Sequence, residues 1–343
     1  MLPTMSSSTN FSFLVALSLF CMAFAAEETT CRFDYIYQFG DSLADTGRFS
    51  NGLLVIDFIA KALHLPLLHP YLETNASFSH GVNFAVGGST ALVNSFFAKR
   101  NISGPSKNIP LSQQVKWFKK HLSSVSNSRS QIKKRLKRAL IMMGEIGGND
   151  FNSIFSQGKS LKESRVYVPP VVKAICNAVR EVIQFGAVHV VVPGNFPAGC
   201  LPKALASFSS ADPKAYDDYG CLTESNKFAL LFNRYLQKAL ASLRLEFPNA
   251  DIRYFDYYKA FEYVLQNARY LGFDQRSLLK ACCGTGEKYN FNSTKVCGSP
   301  GVKACHNPEK FINWDGVHLT QATYHYISEH LIRDVLSEMK CLP

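Results

Sequence analysis

Gly40-Asp41-Ser42-Leu43 closes the apolar run Tyr35-Ile36-Tyr37-Gln38-Phe39, and Asp315-Gly316-Val317-His318 lies near the other end of the chain. A serine hydroxyl is a poor nucleophile until an imidazole takes its proton, and that imidazole needs a carboxylate to fix its tautomer. Ser42, His318 and Asp315 are the three residue types required. An Asp three residues before a His can fold back over one turn and accept from Nδ1–H, leaving Nε2 for the serine. A serine hydrolase site also needs donors aimed at the oxyanion that develops on the substrate. Gly147-Gly148-Asn149-Asp150 sets an asparagine amide in a glycine-rich turn, and Asn83-Phe84-Ala85-Val86-Gly87-Gly88-Ser89 offers exposed backbone N–H groups. Gly87 and Gly88 compete for that second donor, and the register after Asn83 favours Gly88. Each block taken alone also has a plain structural reading. Asp41 and Ser42 are common turn residues, and His318 stands just before Thr320, a candidate helix N-cap. Asp45 and Asp150 read as loop-holding carboxylates.

The elements that must position these groups alternate along the chain. Apolar β-type runs occur at Asp34–Phe39, Ala139–Met143, Ala187–Val192 and Ile252–Phe255. Helical periods occur at Leu53–Leu63, Ser112–Leu122, Val168–Phe185, Leu222–Glu246, Tyr257–Asn267 and Gln321–Met339. Such alternation predicts an α/β fold with a parallel sheet covered on both faces. Ligands bind such sheets at the carboxyl ends of the strands, where Gly40–Leu43, Gly144–Asp150 and Pro193-Gly194 fall. The nucleophile elbow G-x-S-x-G is absent, so an architecture other than the α/β-hydrolase fold must present Ser42. The Cys, Gly, Asn and Pro rich stretch Cys282–Pro308 reads as a disulfide-held loop.

With 343 residues, 47% of them hydrophobic and 18% charged, the chain can bury a full core, and no compositional break divides it. Residues 11–25 are too short to span a bilayer and end in small residues at Ala23 and Ala25. This predicts a signal peptide over residues 1–25, ahead of a single domain over 26–343. No later run is long and apolar enough for a transmembrane helix. Nine cysteines follow the leader, an odd number. Cys176, inside an apolar helical pattern, is the candidate free thiol. Cys200 and Cys221 are the preferred local bridge. Cys282, Cys283, Cys297 and Cys305 lack the paired C-x-x-C spacing of zinc sites, and an oxidising compartment favours disulfides, so no metal is expected. The sequons at Asn75, Asn101 and Asn292 require surface positions if they carry glycans. The net charge of +11 and pI near 9.1 concentrate in Lys116, Lys119, Lys120, Lys133, Lys134, Arg135, Lys137 and Arg138. Around Leu111, Val115, Phe118 and Leu122, the first three lysines read as the solvated face of an amphipathic helix. Weak attraction to anionic polysaccharide or membrane surface is the alternative reading of this patch, and the plain solvated face is preferred. A nucleic-acid partner is not expected.

Four blocks in order now form a pattern. Phe39-Gly-Asp-Ser-Leu-Ala-Asp-Thr-Gly47, Val82-Asn-Phe-Ala-Val-Gly-Gly88, Gly144-Glu-Ile-Gly-Gly-Asn-Asp150 and Trp314-Asp-Gly-Val-His318 resemble the plant GDSL esterase/lipase family of the SGNH hydrolases. Val55-Ile-Asp-Phe-Ile-Ala60, Val191-Val-Pro-Gly194 and Cys282-Cys-Gly284 are similar to it as well, so the resemblance covers nearly the whole mature chain. It is nearest to the acetylajmalan-esterase and sinapine-esterase-like branches, which act on small acyl esters of secondary metabolites. The resemblance implies a three-layer α/β/α SGNH fold with a central parallel sheet. It also implies Ser42 as nucleophile, His318 as base, Asp315 as its orienter, and an oxyanion hole made by the N–H of Ser42, the N–H of Gly88 and the Asn149 amide. The expected protein is a cofactor-free serine esterase, monomeric, secreted to the cell exterior or wall or sent to the vacuole. Its expected partner is a small-molecule acetyl or hydroxycinnamoyl ester, and no stable membrane insertion is expected.

One departure stands beside the nucleophile. Family members carry a sizeable segment between the D-T-G of the first block and the following S-N-G, whereas here Asp45-Thr46-Gly47 runs directly into Arg48-Phe49-Ser50-Asn51-Gly52. Either the gene model is spliced short here, or a true deletion opens the acyl pocket or impairs the fold. Two rival functions share the architecture. An acyltransferase would use the same acyl-enzyme with a second alcohol in place of water, and a catalytically inactive binding protein could occupy the same fold.

Overall fold

The computed structural model describes residues 32–105 and 109–339. The leader expected over residues 1–25, with Cys21, and the cysteines at 31 and 341 lie outside them. Five parallel strands form one sheet in the order β2-β1-β3-β4-β5: β1 Tyr35–Phe39, β2 Gly81–Asn83, β3 Ala139–Met143, β4 His189–Pro193 and β5 Asp251–Phe255. All five residues of β3 are buried, as expected for a central strand covered on both faces.

Side chains alternate across the sheet and divide the core in two. Tyr37, Phe39, Ile141, Met143, Val190 and Val192 face one side, where they meet helices α2 (Leu111–Val125), α5 (Val168–Phe185) and α6 (Thr223–Glu246). Ile36, Leu140, Met142 and Val191 face the other, against α1 (Val55–Ala62), α7 (Tyr257–Gln266) and α8 (Gln321–Asp334). The result is a three-layer α/β/α arrangement. Two further helices, α3 (Arg129–Lys137) and α4 (Gly148–Phe155), lead into β3 and away from its carboxyl end.

The structure adds β2, the three residues Gly81-Val82-Asn83, too short and too bounded by Gly and Asn to read as a strand; pairing with β1 holds them extended. It also shortens the last helix. The sequence pattern runs to Met339, but Val335 leaves helical geometry at φ −124° and only a 3-10 turn, Leu336–Glu338, follows. Disulfides join Cys200 to Cys221, Cys282 to Cys305 and Cys283 to Cys297, while Cys176 is a buried free thiol. Asn75, Asn101 and Asn292 are all exposed. Among the described residues no helix is long and apolar enough to cross a membrane.

The basic stretch is only partly a free surface. Lys116 and Lys120 are exposed, whereas Lys119 pairs with Glu181 at 2.7 Å. Arg135 donates to the Tyr37 hydroxyl at 2.6 Å with its guanidinium 3.8 Å from the Tyr35 ring centre, and Arg138 pairs with Asp34 at 2.7 Å. Both arginines fasten β1.

Candidate active site

The carboxyl ends of β1, β2 and β3 meet at the Ser42 loop. Gly40 leaves β1 at φ +146°, and a Cβ there would stand 2.7 Å from the Glu145 carbonyl, so only glycine allows the two loops to approach this closely. Gln114 of α2 clamps the turn by accepting from Gly40 N at 2.9 Å and donating to Gly40 O at 2.7 Å. Asp41 N donates to Glu145 O at 3.0 Å, and the Asp41 carboxylate accepts from Leu43 N at 3.1 Å and from Asn149 Nδ2 at 3.2 Å. Ser42 is thereby held at the crest of a loop that cannot drift.

His318 reaches this crest from 276 residues away. Its Nε2 lies 2.8 Å from Ser42 Oγ, and its Nδ1 lies 2.7 Å from Asp315 Oδ2. The other Asp315 oxygen accepts from Val317 N at 2.7 Å and His318 N at 2.8 Å, so the carboxylate is fixed by its own turn. Burial alone would raise the Asp315 carboxyl. The hydrogen bond and charge of His318, with the two backbone N–H groups, outweigh it and hold the group below its ordinary value. With Asp315 ionised, Nδ1 carries the proton and Nε2 is the acceptor that a serine hydroxyl needs.

Of the expected oxyanion donors, Asn149 lines the same cavity as Ser42 and its amide contacts Asp41. The N–H of Ser42 and the N–H of Gly88 make no hydrogen bond within the described residues, whereas Gly87 N is committed to Asp45 Oδ2 at 2.7 Å. This geometry separates the two candidate glycines: Gly88 is left as the open donor, at φ +83° with nothing near its Cβ position. Asn149, at the start of α4, donates Nδ2 to Ser89 O at 3.0 Å as well as to Asp41. Asp150 holds the neighbouring loop by accepting from Ala91 N at 2.8 Å and Leu92 N at 2.9 Å. Sequence reasoning anticipated Asn149 but not α4, because its glycine start masks the helical period.

Three acids below the serine are unusual. Burial pushes Asp41 up to about 7 against the pull of Leu43 N–H, and Asp150 up to about 7 against the Leu92 and Ala91 N–H groups. It drives Glu145 well above the carboxylate range, and Glu145 Oε2 is buried without a hydrogen-bond partner. Glu145 lies in the Gly144–Asp150 stretch that the sequence puts at a strand end, though nothing there singles out its side chain, and nothing in the sequence signals Gln114 or Lys203 as neighbours of the site.

The short junction after Gly47 closes as a turn. Arg48 N donates to Asp45 O at 2.9 Å, and the Arg48 guanidinium pairs with the buried Asp57 at 3.2 Å. Phe49 then stacks on the His318 imidazole with ring centres 5.2 Å apart and planes 25° from parallel. Ser50 Oγ donates to Leu319 O at 2.9 Å, and Gln321 N donates to Asn51 Oδ1 at 2.8 Å. The junction therefore packs on the histidine turn. Beside Ser42 and Asn149 opens a cavity of about 550 Å³, walled by Phe151, Phe155, Phe196, Leu201, Phe208 and Phe228.

Residues 36–331 match the family model described as GDSL-like Lipase/Acylhydrolase. The chain is 44% identical to acetylajmalan esterase 1 of Rauvolfia serpentina, with 96% of this chain and 94% of that one covered. It is 48% identical to a GDSL esterase/lipase of Arabidopsis thaliana, with 98% and 99% covered. The alignment with the Rauvolfia esterase runs over 360 residues and the Arabidopsis one over 337, against 343 residues in this chain. The Rauvolfia relative therefore carries residues that have no counterpart here. On these matches and the ester-hydrolysing relatives among them, the chain belongs to the GDSL-like lipase/acylhydrolase family and is a carboxylic ester hydrolase.

Proposed function

We propose that the protein is an exported serine esterase that removes a small acyl group, acetyl or hydroxycinnamoyl, from a plant metabolite through an acyl-serine intermediate. The observation that carries this reading is the unbroken line Asp315 Oδ2, His318 Nδ1, His318 Nε2, Ser42 Oγ, with both contacts under 3 Å. His318 takes the Ser42 proton as Oγ attacks the ester carbonyl. The tetrahedral oxyanion accepts from the free N–H groups of Ser42 and Gly88 and from the Asn149 amide, which turns from Asp41. The C–O bond then breaks, the alcohol leaves with the proton from His318, and water repeats the sequence to release the acid and restore Ser42.

Three disulfides and three exposed sequon asparagines support export to an oxidising compartment. Ser42→Ala is expected to abolish hydrolysis of 4-nitrophenyl acetate and labelling by a fluorophosphonate probe while leaving secretion intact. Retained hydrolysis in that variant refutes the assignment. Added alcohol acceptors in the same assay separate acyl transfer from hydrolysis, by the appearance of a new ester.

A further inference from the structure

The apolar cavity beside Ser42 contains one cation among its lining residues. Lys203, half-buried, donates from Nζ to the neutral amide oxygen of Asn152 at 3.3 Å and lies within no salt bridge among the described residues. Its backbone N–H donates to Gly316 O at 2.9 Å, inside the turn that carries Asp315 and His318. The Lys203 backbone is therefore tied to the catalytic turn, while its side chain lines the cavity. Burial disfavours the ammonium, and the Asp315 carboxylate, outside ion-pair distance, is the charge that partly offsets it. The two carboxyls that line the same cavity, Asp41 and Glu145, sit under the nucleophile loop, and burial disfavours their charged forms.

We propose that Lys203 is a specificity residue that selects esters bearing a carboxylate on the acyl or the alcohol half. This rests on the esterase reading above and names its substrate class. A bound carboxylate would pair with the ammonium, so the anionic ester would gain in kcat/KM. The phenylalanine walls exclude water and strengthen that pairing.

Two matched pairs test the idea by kcat/KM. They are 4-acetoxyphenylacetate against 4-acetoxyphenylacetamide, with the charge on the alcohol half, and mono-4-nitrophenyl adipate against 4-nitrophenyl adipamate, with the charge on the acyl half. The wild-type enzyme is expected to prefer the anion about tenfold or more in one pair, which also tells which half enters the cavity. In Lys203→Gln, which keeps a donor for Asn152, that ratio is expected to fall about tenfold, and Lys203→Arg is expected to retain it. A wild-type ratio at or below one in both pairs, or the same ratio in wild type and Lys203→Gln, overturns the proposal while leaving the esterase intact. Failure of the wild type to hydrolyse any of the four, together with no fluorophosphonate labelling, overturns both.

Discussion

Asn149 is asked to do two things with one amide. In the resting site both of its N–H groups are engaged, by Ser89 O and by Asp41 Oδ2, so the oxyanion gains this donor only when the Asp41 contact yields. That contact, at 3.2 Å to a carboxyl half-protonated near neutrality, is the weaker of the two. Asn149→Ala is expected to lower kcat on 4-nitrophenyl acetate by about 100-fold or more, with a much smaller change in KM, as for other single oxyanion donors. Asp41 makes a separate prediction about stability. Its carboxyl is raised from 3.8 to about 7 in the fold, so the folded protein binds this proton more tightly than the unfolded chain does. The stability it contributes is full below pH 3.8 and is lost as pH rises through about 7. Urea unfolding at pH 5 and pH 8 checks this. Wild type should lose more stability between those values than Asp41→Asn, by roughly 1.4 kcal/mol per pH unit from pH 5 to about 7 and no further above that. Asp315 has the opposite sign: held below 3.8, it stabilises at neutral pH and loses that contribution only as acid protonates it.

Disulfide-held loops support the histidine turn at the level of elements. Cys282 N donates to Asn313 O at 3.0 Å and Cys283 N to Trp314 O at 2.7 Å, directly before Asp315. Replacing Cys282 and Cys305 together by alanine opens a loop whose ends are 23 residues apart. The expected cost is about 3 kcal/mol in urea unfolding, with kcat falling more than KM rises. Much of this arrangement was legible beforehand, for physical reasons. β3 is five consecutive apolar residues because helices cover both of its faces, and α5 shows its period because one stripe is buried and the other wet. The rest was not. β2 owes its extended form to β1 rather than to its own residues, and α4 begins on glycines because the chain must turn under Asn149. The Ser42, Asp315 and His318 blocks were readable because reactive residue types stood in fixed order. Gln114 and Lys203 reach the site only through the fold.

For the whole molecule, a charge of +11 has two physical meanings. Arg135 and Arg138 are spent on Tyr37, Tyr35 and Asp34, which the sequence could not reveal, since those partners come from another element. Lys116, Lys120, Lys133 and Lys134 remain exposed on α2 and α3. Retention on polygalacturonate at low ionic strength is expected from these four, and charge reversal to glutamate should abolish it. Raising salt to about 0.15 M should weaken it strongly, because exposed charges farther apart than about 8 Å are then screened.

The separation of 276 positions between Ser42 and His318 also sets a condition on synthesis. The first strand leaves the ribosome carrying its serine long before the imidazole exists, and α8, which packs beside α1, must follow before the last turn is braced. A polypeptide halted before His318 bears an unarmed hydroxyl. Ester cleavage therefore reports on completed, fully closed molecules, and fragments should accumulate without it.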